Sequence, residues 1–104
     1  MEDLRNQYVQ RLPGEIEMAE GLFNKAVGSG VELTKLHELE LAAHRLSGSG
    51  ATFGFPAISE AARTLEERLA EILATEVIGI EERTELADLL ANLSNSVRAA
   101  VHRA

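Results

Sequence analysis

The spacing of apolar residues predicts an all-α fold: an antiparallel up-down four-helix bundle with a short extra N-terminal helix. Three observations carry this. Leu, Ala and Glu recur along the whole chain of 104 residues. Apolar residues return at steps of three and four almost everywhere, and no stretch alternates apolar with polar as a half-buried strand does. The breaks between helical segments are short and hold glycine or proline, and short loops join neighbouring helices antiparallel.

Taken in order, the first segment is a helix over about 2–12, with Leu4, Tyr8 and Leu12 on one face. Pro13 suits the first turn of a new helix, where its missing N–H costs nothing. The first bundle helix is therefore expected over about 13–27, with Ile16, Ala19, Phe23, Ala26 and Val27 inward. Gly28-Ser29-Gly30 ends it, since glycine supplies the left-handed conformation of a C-cap. The second bundle helix covers about 32–52. Its seam of Leu36, Leu39, Ala43, Leu46, Gly50 and Phe53 steps by 3, 4, 3, 4, 3. Gly54-Phe55-Pro56 breaks the chain. The third helix covers about 56–76, with Ile58, Ala62, Leu65, Leu69 and Ile72 inward. Val77-Ile78-Gly79 turns into the fourth, about 80–102, built on Leu86, Leu90, Leu93, Val97 and Val101. The whole length, 1–104, is expected to form a single domain.

Composition narrows the function. The net charge of −7 argues against nucleic acid, whose phosphates demand a basic face, and against an anionic membrane surface. No apolar run approaches 18 residues, and the N-terminal MEDLRNQYVQ has no secretory h-region, so neither membrane insertion nor secretion is expected. The absence of cysteine removes disulfides, thiolate catalysis and Cys-ligated zinc, and is compatible with a cytoplasmic setting. There is no P-loop, no paired-carboxylate cleft and no serine triad with an oxyanion loop. His37, Glu40 and His44 share one side of the second bundle helix, but three ligands from one helix make a poor metal site. No metal is expected. The Glu-rich segments 66–76 and 81–85 read as solvated faces.

The informative stretch runs from Ala43 to Phe55. At about 100° per residue, His44 lies roughly 130° from the centre of its helix seam and faces solvent. His37, Leu41, Gly48 and Thr52 share its outward strip, with Ser47 and Ala51 flanking it towards the seam. A glycine inside a helix costs about 1 kcal/mol relative to alanine. Gly50 has a packing reason, because it falls on the seam. Gly48 does not, and clearance explains it: a side chain there would lean back over the preceding turn, onto His44. An exposed neutral imidazole is a nucleophile near pH 7. Such a ring nitrogen can attack a phosphoryl group, and the phosphoramidate formed is reactive enough to hand the group on.

The pattern Ala-His-x-Leu-x-Gly-Ser at 43–49, then Phe53-Gly54, then Ala62-Arg63-Thr64-Leu65-Glu66, resembles the histidine-containing phosphotransfer (HPt) family. The resemblance implies a phosphorelay intermediate without autonomous catalysis, in a bacterial two-component pathway. It would accept phosphate on His44 from a receiver-domain aspartyl phosphate and pass it to another receiver. Gly48 would be the clearance glycine and Gly54 the turn glycine, with Ser47 and Arg45 in support. His37, Leu41, Ala51 and Thr52 would lie at the docking surface. Response-regulator receiver domains, and a hybrid sensor histidine kinase, are the partners implied. The chain itself would be a cytoplasmic monomer without cofactor, magnesium belonging to the receiver. One position departs from the pattern. The family commonly has lysine three residues after the histidine, and here Ser47 stands there. That leaves open a helical adaptor that binds signalling partners without being phosphorylated.

Overall fold

The computed structural model describes residues 2–103, with the backbone alone at Glu2. They form four helices: α1 (Glu2–Val27), α2 (Leu33–Thr52), α3 (Pro56–Thr75) and α4 (Ile80–Arg103). Each helix packs against the next and α4 closes back onto α1, and among the described residues no Cα atoms of diagonal helices come within 8 Å of each other. Ser94 Oγ donates to Glu20 Oε2 at 3.1 Å, and Ser59 Oγ donates to the Ser47 carbonyl at 2.8 Å. With loops of only a few residues between helices, this is an antiparallel ring, 43 Å long and about 20 Å across (21 × 19 Å).

The expected short helix at 2–12 does not exist as a separate element. α1 runs unbroken through Pro13. A proline inside a helix removes one ladder hydrogen bond, crowds the carbonyl four residues back and costs about 3 kcal/mol. Pro13 is exposed. The seam of Tyr8, Leu12, Ile16, Ala19, Phe23 and Ala26 stays in helical phase on both sides of it, and all six are buried. Each fully buried large side chain contributes about 1.5–3 kcal/mol, so continuity of the seam outweighs the local break. Leu4, expected inward, is 55% exposed. The last layer of the core is Tyr8, stacked on Phe53 at 4.5 Å, and residues 3–7 run past it with every side chain exposed.

Elsewhere the core follows the 3–4 spacing. Leu36, Leu39, Ala43, Leu46 and Gly50 of α2 are buried, as are Ile58, Ala62, Leu65, Leu69 and Ile72 of α3 and Leu86, Leu90, Leu93 and Val97 of α4. At the ends, Val27, Phe53 and Val101 are only half-buried, and Ala100 takes the inward place beside Val101.

Two turns set how α2 and α3 meet. Gly54 adopts φ +81, a left-handed conformation that favours glycine. Phe55 N–H donates to the Gly50 carbonyl at 2.7 Å, and Pro56 opens α3. A Cβ on Gly50 would stand 3.0 Å from the Ser59 backbone nitrogen and 3.3 Å from the Phe55 carbonyl. The two helices approach this closely only because Gly50 has no side chain. Together with the Ser59–Ser47 bond, that contact fixes their register. At the opposite end Glu76 occupies the left-handed cap of α3 at φ 57, and Gly79 N–H donates to Glu82 Oε1 at 2.7 Å.

Candidate functional site

The strip on α2 is built as its phase requires. His44 projects from the outer face with its side chain 69% exposed. Leu41 is 54% exposed, and Gly48, Ala51 and Thr52 are exposed beside it. The Thr52 hydroxyl turns back to donate to the Gly48 carbonyl at 3.0 Å.

His44 Nδ1 lies 2.7 Å from Glu66 Oε2 across the α2–α3 seam. An ionised carboxylate only accepts, so Nδ1 donates and carries the ring proton. The lone pair then sits on Nε2, which has no partner among the described residues. This pairing depends on the register set by Gly50 and Ser59. It gives an exposed histidine a preferred tautomer and ring orientation, with one nitrogen held and the other open.

Glu66 corrects the expectation that the acidic segments are merely solvated. So does half-buried Glu82, which caps α4, while Glu85 and Glu71 stay exposed as expected, paired with Arg68 at 2.8 and 3.4 Å. The available signal for Glu66 was its angle. It lies roughly 80° from the α3 seam centre, at the edge that meets α2, rather than on the outer face.

The other candidates separate. Ser47 is half-buried on the turn beyond His44, and its carbonyl is tied to Ser59. Arg45 projects to the opposite side of α2, lining a groove with Arg11 and Met18 of α1, so it is not brought to His44. His37 is 63% exposed, its Nδ1 3.7 Å from Glu40 Oε1. Gly48 requires a revised reason. A Cβ there would find no side-chain atom within 4 Å, so a methyl group would not touch the imidazole. The glycine leaves the helix surface flat one turn beyond His44. No three His, Asp or Glu side chains among the described residues are grouped to hold a metal ion.

The family model of the Hpt domain matches residues 3–100. The chain belongs to the Hpt domain family. Hpt domains perform histidine phosphotransfer in phosphorelays of two-component signalling. They act as phosphocarrier modules rather than catalysts, and they interact with receiver domains and kinases. No curated protein and no solved structure matches this Hpt domain. Its all-helical bundle fits the family, and none of its helices, over the described residues, is long and apolar enough to cross a membrane.

Proposed function

We propose that His44 is the phosphorylated residue of this Hpt domain, accepting a phosphoryl group from one receiver-domain aspartyl phosphate and passing it to another. The observation that carries this reading is the 2.7 Å pair between His44 Nδ1 and Glu66 Oε2 on an otherwise open histidine. The free Nε2 lone pair attacks phosphorus as the P–O bond to the aspartyl carboxylate breaks, and the bonding pair leaves with that carboxylate. The ring becomes cationic, its proton still on Nδ1, and Glu66 offsets the new charge. In the return step a receiver carboxylate attacks phosphorus, the N–P bond breaks, and its electrons go back to Nε2. This chain supplies the nucleophile and a docking surface, while magnesium and the in-line aspartate belong to the receiver.

The test is incubation with a panel of phosphorylated receivers. Label should appear at His44 in an acid-labile, base-stable bond, the behaviour of a phosphoramidate. His44→Gln should abolish labelling and leave helicity and melting nearly unchanged, because the side chain is exposed. Undiminished labelling of the glutamine variant would assign the chemistry elsewhere. A wild type that binds receivers but takes no label would be an adaptor instead.

A further inference from the structure

A phosphoryl group on His44 brings about two negative charges at neutral pH, as phosphate esters do. It arrives beside Glu66, with half-buried Glu40 one turn back on the same helix, in a chain whose net charge is −7. Ser47 offers a hydroxyl but no charge. Some cation must offset this, and α2 and α3 carry four: Lys35, Arg45, Arg63 and Arg68. Lys35 is paired with Glu38 at 3.2 Å, more than two turns from His44. Arg45 lies on the far side of α2. Arg68 points towards α4, committed to Glu85 and Glu71. Arg63 is exposed and has no ion pair or side-chain hydrogen bond among the described residues.

Its position is bracketed by two cross-helix contacts. Ser59 of α3 bonds the Ser47 carbonyl, and Glu66 bonds His44. Arg63 stands about one turn from each, within roughly 60° of both around the helix axis, on the side of α3 they share. In an antiparallel pair this brings it level with Ser47, one turn past His44. We propose that Arg63 is the phosphoryl-binding cation of this site. Its guanidinium reaches across the α2–α3 seam to hydrogen-bond the phosphoryl oxygens on Nε2, a geometry its planar fork suits. It does from α3 what a lysine at position 47 would do from α2. The inference rests on the reading of His44 as the phosphorylated residue.

Potassium phosphoramidate, a small-molecule donor, separates this chain's own cation from any that a receiver brings. The full chain and its Arg63→Gln, Arg63→Lys and Arg45→Gln variants are labelled and followed by phosphorus NMR. In the Arg63→Gln protein the pH midpoint of the phosphohistidine signal should rise by roughly half a unit, since a lost cation disfavours the dianion. Labelling should slow several-fold. Arg63→Lys and Arg45→Gln should stay near wild type, and the difference should shrink in 1 M salt because the pair is exposed. Adding Ser47→Lys to Arg63→Gln should restore the midpoint. If the wild type labels at His44 and Arg63→Gln matches it in midpoint and rate, Arg63 has no such role. If the wild type takes no label on histidine, the reading of His44 fails and this inference with it.

Discussion

An exposed imidazole in water exchanges freely between its two neutral forms, and its ring turns about two torsions. A carboxylate at 2.7 Å from Nδ1 restrains both freedoms at His44. Glu66→Ala should therefore slow single-turnover transfer from a phosphorylated receiver by roughly tenfold, about 1.4 kcal/mol at the transition state. Glu66→Gln should recover part of that rate, because an amide oxygen still accepts from Nδ1. Ring nitrogen shifts of His44 should move towards a mixture of tautomers in the alanine variant. Equal rates for all three proteins would show that the ring needs no orientation. The exposure of His44 and the left-handed turn at Gly54 were legible in the sequence because both are local, an outward helical phase and a tight turn, whereas the reason given for Gly48 was not. Glu66 was not legible either. Its helical angle sets it at the edge of α3, apart from Glu67 and Glu71, but it stands 22 residues from its partner. Only the register between two helices brings the pair together.

At the level of the element, α2 holds two glycines two residues apart that do opposite things. Gly48 faces open space and Gly50 faces the backbone of α3. Gly48→Ala should raise stability by up to about 1 kcal/mol through helix propensity. Gly50→Ala should lower it by about 1–3 kcal/mol, because the added methyl pushes backbone rather than a flexible side chain. Urea melts of the two variants give the signs. Gly50→Ala should also lengthen the His44–Glu66 contact and slow transfer, although it lies away from the imidazole. Destabilisation by both would mean the glycine at 48 is packed against something. The same distinction explains α1. Pro13 reads as a helix start by a rule about one residue. The burial of six seam residues spanning it is a fact about the bundle, and the bundle prevails.

For the whole molecule, the ring of helices divides the surface into a side formed by α2 and α3, which carries His44, and a side formed by α1 and α4. The bundle itself was readable from periodicity, because four amphipathic segments with short connections have few other ways to bury their seams. Leu41 is the large apolar residue on the His44 strip, one turn before the histidine. Leu41→Asp should weaken the complex with a receiver by about 1–3 kcal/mol, the range of a useful interface anchor. It should leave the melting temperature of the free protein nearly unchanged. Calorimetric titration and a thermal melt read the two effects separately. Loss of folding would show that Leu41 serves the core, and unchanged affinity would place the docking surface elsewhere.

The closure of α4 onto α1 has a practical consequence for handling the protein. Arg5 and Arg103 line one cleft of about 350 Å³, so the two ends of the described chain emerge together at one tip of the bundle. Both belong to the helices that do not bear His44. The same cleft is lined by Gly54, Phe55 and Pro56 of the α2–α3 turn, so a bulky fluorophore or a closely joined domain at either end would stand beside the Thr52 end of the docking strip. A long flexible tether is therefore the anchor to a sensor chip that keeps His44 open to the solution.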